Sequence, residues 1–406
     1  MKNLNAQAAV LFRQKIMNLE SRAWITTLTL LGVAVLGLVT IQSAQAQTYT
    51  VLYNFQGGTD GDFPFAGLVS DAAGNLYGTT TEGGPSNDGT VFKVSGTTET
   101  VLYSFKGGAD GANPEAPLII DAAGTLYGTT AAGGSPGMGT VFKVSSNGTE
   151  TVLHSFAGGT TDGCTPYGGL LRDKTGNLYG TTNKCGASDV GTVFKVKPSG
   201  KETLLHSFAG DMSDGSYPYL TSLLMDAKGN FYGVAQNGGT GNLGVVYKLS
   251  KSGTLTVLHS FAGGTTDGCY PLGSPTMDKN GNLYGTTYDC GSSSYMGTVW
   301  KVSKKGTETV LHSFHGGATD GQSPYAGVVM DAHGNLYGDT IEGGIGIGTV
   351  YELSKTGTLT VLHSFDGYTG EYPYGGVIRD AAGNLYSTGF AGGSSGYAGV
   401  VWEITP

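Results

Sequence analysis

The stretch GNLYGTT at residues 176–182 decides the fold, because it does not stand alone. The same letters open at residues 74 and 281, GNLYGDT opens at 334, and looser copies stand at 124, 229 and 383. A glycine-rich segment of this kind can cradle a phosphate, but that use needs a helix whose N-terminus faces the anion. Each of these copies runs instead into another glycine turn and a β-branched or aromatic run. GNLYGTT therefore reads as the turn and strand of a repeating sheet, not as a nucleotide loop.

Three further elements recur around it in fixed order. Before it lies a strand A, written GLVSD at 67, GLLRD at 169 and GVVMD at 327. GNLYGTT supplies strand B. After it comes strand C, GTVFKV at 89, 139 and 191, and then strand D, VLYNF at 51 and VLHSF at 152, 257, 310 and 361. The D copies begin near 51, 101, 152, 204, 257, 310 and 361, so the period is about fifty residues and the unit occurs seven times. Asp and Gly in every connector provide self-capped turns and positive φ, which make hairpins rather than crossovers. Four antiparallel strands per fifty-residue unit is the pattern of a propeller blade. The chain is expected to be all-β, a seven-bladed β-propeller over residues 47–406. Its ordered part begins with a D strand (Tyr49 to Phe55) and ends with a C strand (Val400 to Ile404). With A innermost, the N-terminal strand would complete the last blade and close the ring, removing a free sheet edge.

Residues 1–46 stand outside this repeat. Arg13, Lys15 and Arg22 precede an uncharged apolar run from Trp24 to Ile41, followed by Ala44-Gln45-Ala46, a small-x-small cleavage pattern. We read a secretory signal cut after Ala46; if uncut, the segment would be the chain's one membrane anchor. The whole chain has a formal net charge of −9 and the leader holds four of its basic residues, so the remainder is more acidic still. Nucleic-acid binding needs a basic footprint, and none is present.

With all four strands in view, the repeat resembles the GloVer tandem repeat of secreted and surface bacterial proteins, over Tyr49 to Pro406. Its D-x-x-G-N-L-Y core is also similar to NHL-type and two-component-regulator propeller repeats. The resemblance implies a propeller placed outside the cytoplasm, in the periplasm, at the cell surface or beyond it. It implies no particular chemistry.

The four cysteines fall as Cys164 and Cys185 in one repeat and as Cys269 and Cys290 in the same places two repeats on. Directly opposed residues of a hairpin share one index sum, and each cysteine pair shares it with the residues bracketing its own A–B turn. Disulfides Cys164–Cys185 and Cys269–Cys290 are expected. Two cysteines per blade without a neighbouring histidine are a poor metal set, so no metal ligands are assigned to them.

Candidate binding residues lie in the D–A connectors. An Asp recurs as Asp60, Asp110, Asp162, Asp214, Asp267 and Asp320, with Glu371 in roughly that place in the last copy. It reads first as a turn-capping residue; a carboxylate ring for Ca2+ is the alternative. A proline follows in every copy, and after it stands Phe65, Tyr167, Tyr219, Tyr325 or Tyr374, with Glu115 and Leu272 in the other two. If strand A lines the channel, these rings crowd its mouth. They read first as a cover for the inter-blade core at the loop end; the alternative is sugar binding, which aromatic faces beside polar groups suit. Five strand-D histidines (His154, His206, His259, His312, His363) stand on separate blades and read as cross-strand packing partners. Gly392-Gly393-Ser394-Ser395-Gly396 satisfies the nucleophile-elbow spacing but sits in a strand-to-strand loop, where that motif has no oxyanion hole. The sequence thus points to a non-catalytic binding or scaffold propeller for an extracellular glycan or protein. The alternative is a polysaccharide lyase or hydrolase on the same frame, whose catalytic residues should break the repeat's symmetry.

Overall fold

The computed structural model describes residues 47–293, 295–394 and 396–406. The proposed signal segment, residues 1–46, lies outside the described residues. Among the described residues no helix is long and apolar enough to cross a membrane.

Seven four-stranded antiparallel sheets follow one another along the chain, each ordered A-B-C-D. In the first, Val69–Ser70, Leu76–Thr80, Thr90–Ser95 and Thr98–Ser104 lie side by side. In the seventh, Ile378–Arg379, Leu385–Gly389 and Val400–Thr405 are joined by the N-terminal strand Thr48–Asn54, which pairs Tyr49 with Ile404 and Val51 with Trp402. The ring therefore closes with one strand from each end of the chain.

Every letter of GNLYGTT has a physical role. Gly176 takes φ +82°, a left-handed turn conformation that costs glycine nothing. The amide of Asn177 donates to Asp173 Oδ1, its side chain to Oδ2, and the Tyr179 hydroxyl also donates to Oδ2. Leu178 is buried, facing the neighbouring blade. A Cβ on Gly180 would stand 2.6 Å from the Phe194 ring, so in this blade glycine makes room on strand B for the strand-C aromatic. Thr181 donates to a carbonyl of the next blade at Thr221, and Thr182 bonds Thr192 of strand C at 2.7 Å.

The apolar core is divided among the seven blade-to-blade interfaces. Each cluster takes the end of strand D and part of strand C from one blade and strands A, B and C from the next, as where Phe156 and Val141 meet Leu170, Leu178, Phe194 and Val196. Seven phenylalanines closing the D strands (Phe55, Phe105, Phe156, Phe208, Phe261, Phe314, Phe365) are completely buried in these seams. No blade can bury its own faces alone, so stability resides in the stacking.

Both disulfides are formed as expected, with Cα atoms 5.4 Å apart in each. They join the D–A and B–C connectors of blades 3 and 5. The register is not the simple hairpin one: Cys164 faces Lys184 and Cys185 faces Gly163. Between the pair Leu171 with Tyr179 and the pair Cys164 with Lys184 the chain takes seven steps on one side and five on the other. The two extra residues belong to the segment around Pro166 and Tyr167, which leaves the ladder.

Candidate site at the channel mouth

That departure from the ladder recurs in six blades, while in blade 5 Pro271 and Leu272 stay paired with Thr287 and Thr286 and the ladder breaks only after Leu272. The backbone before the proline is strained in all seven. The residue before each recurring proline (Phe63, Asn113, Thr165, Tyr217, Tyr270, Ser323, Tyr372) has φ between 49° and 58°, unusual for any side-chain-bearing residue and more so before proline. The conformation is fixed from two sides. The amide of Thr165 donates to Met138 of the preceding blade, and its carbonyl accepts from Asn183 of its own blade. Tyr217 is held the same way, by Val190 and Gln236. Strain of this kind persists where surrounding bonds over-determine it, and here it turns the residue after the proline toward the channel.

The result is a continuous row of rings. Tyr167 meets Tyr219 edge-on at 5.1 Å, Tyr219 meets Tyr325 at 6.3 Å, Tyr325 meets Tyr374 at 4.8 Å, and Tyr374 stacks on Phe65 at 4.9 Å. All five sequence-singled aromatics are in this row, and all are only partly buried. Leu272, the apolar exception, is buried at 3% exposure. Beneath part of the row lies a cavity of about 280 Å3 lined by Phe65, Tyr325, Tyr374, Leu220, Glu115 and the glycine-rich innermost strands. Glu115 is the one charged residue of that lining, and burial raises its carboxyl to about 7. Burial likewise pushes the Tyr167, Tyr219, Tyr325 and Tyr374 phenols up, so they are neutral hydroxyls able to donate. Phe390 and Tyr288, which follow strand B, complete the aromatic surface against Phe65 and Tyr325. Sequence reading passed over both; the signal was there in the unusually variable residue after each LYGTT.

The recurring Asp residues lie elsewhere, at the end of strand D, and are not among the cavity's lining. Each is engaged within its own blade. Asp60 and Asp110 accept from Tyr53 and Tyr103 at 2.8 and 2.7 Å. Asp162, Asp214, Asp267 and Asp320 stand 3.0–3.3 Å from His154, His206, His259 and His312 and accept backbone amides of their own turn. The strand-D histidines thus pack edge-on against the phenylalanine that closes each strand, and four of them are in addition polar partners of the loop carboxylates. In the last repeat Thr369, not Glu371, takes the Asp place, bonding His363. Glu371 instead pairs with Ala391, as Asp62 does with Glu82.

A second polar feature runs along these outer seams. Glu99, Glu150, Glu202 and Glu308 begin their D strands partly buried, each with one carboxyl oxygen buried and unpartnered. Burial first, and then the carboxylates of Asp60, Asp110, Asp162 and Asp267, raise all four to about 7. Burial also holds Asp339 well above the ordinary carboxylate range. Each such group keeps its proton to higher pH in the folded chain, so its stability is fully present below about pH 4.5, the unfolded value, and is lost as pH rises through 7. His363, lowered to about 4 by burial, works in the opposite sense below about pH 6.5, but it is one group against these four glutamates and Glu115. The melting temperature is expected to fall between pH 5.5 and 8.5, and the fourfold Glu→Gln variant at 99, 150, 202 and 308 to flatten that slope.

The family model described as the Gloeobacter/Verrucomicrobia repeat matches residues 32–223 and 219–406. No curated protein matches the sequence. Among solved structures, the chain is similar to the extracellular domain of a protein described as a one-component system of B. thetaiotaomicron, at 11% identity and TM-score 0.55, covering 88% of this chain and 40% of that one. It is also similar to PorZ, a surface component of the type-IX secretion system of Porphyromonas gingivalis, at 15% identity and TM-score 0.52, covering 86% and 47%. The chain therefore spans less than half the length of either.

Proposed function

The chain belongs to the Gloeobacter/Verrucomicrobia repeat family, and we propose that it is a secreted or surface-exposed binding propeller that takes an extracellular glycan at its aromatic channel mouth. The observation that carries this reading is the row from Tyr167 to Phe65, in which five blades each turn one ring toward the same opening through a strained, doubly clamped backbone. Ring faces stack on sugar faces, neutral phenols donate to sugar hydroxyls, and Glu115 supplies an acceptor. Two disulfides suit an oxidising compartment. The two propellers of similar shape, an extracellular domain and a surface component, fit the same setting.

Affinity measurements and turnover assays over a panel of oligosaccharides test this. Saturable binding without cleavage is expected. The double variant Tyr325→Ala/Tyr374→Ala should weaken it about thirtyfold, since each stacked ring contributes about 1 kcal/mol. It should also lower the melting temperature, because both rings pack on their neighbours, without unfolding the protein at the assay temperature. Cleavage of any oligosaccharide would replace the binding reading with the enzymatic one, and absence of glycan binding would turn attention to a protein ligand.

A further inference from the structure

We infer that His312, His315 and Asp320, at the outer end of blade 5, form a site for one divalent transition-metal ion. The sequence HSFHGGATD at 312–320 places two imidazoles three residues apart and a carboxylate after a glycine turn. In the structure the three ligand atoms all lie within 4.8 Å of one another. His312 Nε2 is 3.3 Å and His315 Nδ1 3.5 Å from the same carboxylate oxygen, Asp320 Oδ2. A tetrahedral zinc with ligands at about 2.0–2.1 Å keeps them about 3.3 Å apart, so two edges of the polyhedron already have their length. The third closes by a small rotation of His315, whose side chain is 59% exposed.

The surroundings are those of an oriented ligand set. His315 Nε2 lies 3.1 Å from Ser292 Oγ in the B–C loop of the same blade. When that nitrogen donates to the serine, Nδ1 carries the lone pair toward the carboxylate, the tautomer a metal requires. Asp320 is held in turn by the amides of His315 at 3.0 Å and Gly321 at 2.8 Å. Two imidazoles and one carboxylate suit zinc, copper or nickel; calcium would ask for an all-oxygen set. Three protein ligands leave a fourth position for water or a donor from a partner.

The repeat supplies its own controls. Where His315 stands, the other copies have Gln56, Lys106, Ala157, Ala209, Ala262 and Asp366, so the remaining His–Asp pairs, such as His259 with Asp267, lack the third ligand. His333 lies beside Asp331 at 3.6 Å with no second imidazole.

The test is calorimetric titration of zinc into the chelator-stripped, untagged protein. One equivalent is expected to bind with low-micromolar or tighter affinity, and His315→Ala to weaken binding at least about tenfold, the range by which even supporting residues affect metal affinity. Alanine at the equivalent position of three other blades shows that this variant folds. His333→Ala should change nothing. Cobalt in place of zinc should give a tetrahedral visible spectrum in the wild type that His315→Ala loses. Failure to bind one equivalent, or equal affinity in His315→Ala, overturns the assignment.

Discussion

A chain truncated through Asn54 is expected not to accumulate as a soluble monomer. The strand Thr48–Asn54 is the outer strand of blade 7 and serves two interfaces at once. Tyr49 and Val51 pack into the seam with blade 6, beside Phe365 and Trp402, while Leu52 and Tyr53 pack into the seam with blade 1. Tyr49 also stacks on His363 at 3.7 Å, and its hydroxyl donates to the Thr369 carbonyl. Fully burying a large apolar side chain contributes about 1.5–3 kcal/mol, so four of them, partly buried here, represent several kcal/mol against a typical total of about 5–15. The deletion also exposes the whole edge of Val400–Thr405, a template for association with other chains. Size-exclusion chromatography and thermal melting of the truncated protein measure both effects. A synthetic peptide of residues 47–56 added in trans should restore the monomer by strand addition, as its register against Val400–Thr405 is already specified. A truncated chain that melts like the wild type would show that the ring does not depend on its closing strand.

How far the sequence alone reached follows from which contacts are local. The propeller was legible because each A–B turn is encoded within itself: Asp71 with Asn75 and Tyr77 is repeated by Asp173 with Asn177 and Tyr179, and so on round the ring. The five rings at the mouth were legible too, since a proline marks each in sequence. What escaped was made by contacts between elements. Glu99 lies some forty residues from Asp60, yet the two share a seam between neighbouring blades. His312 and Asp320 are eight residues apart, but their pairing depends on how the strand-D bulge and the D–A turn fold back on each other. The positive φ before each proline runs against the local preference of that dipeptide and is imposed by bonds from two blades, so no reading of the segment alone could foresee it.

Removing both disulfides should lower stability by about 6 kcal/mol, about 3 for each loop of roughly twenty residues, with the size depending on how the crosslink is removed. Cys185 and Cys290 have φ of 64° and 67°. At the matching position the other five blades have Gly83, Gly133, Gly238, Gly343 and Gly392, all with positive φ. The cysteines thus occupy a left-handed site that costs a side-chain-bearing residue about 1–2 kcal/mol, offset while the disulfide is intact. Blade 2, with Ala112 and Gly133, shows how the same connector is written without a crosslink. The variant Cys164→Ala/Cys185→Gly with Cys269→Ala/Cys290→Gly should therefore be less stable than the oxidised protein but more stable than the reduced wild type, which loses the bonds and keeps the backbone cost. Urea unfolding with and without reductant gives the three midpoints in one experiment. Reductant should leave the fourfold variant unmoved and shift the wild type below it. Four free thiols in non-reducing peptide maps, or a wild-type midpoint indifferent to reductant, would refute the pairing and the energetic role together.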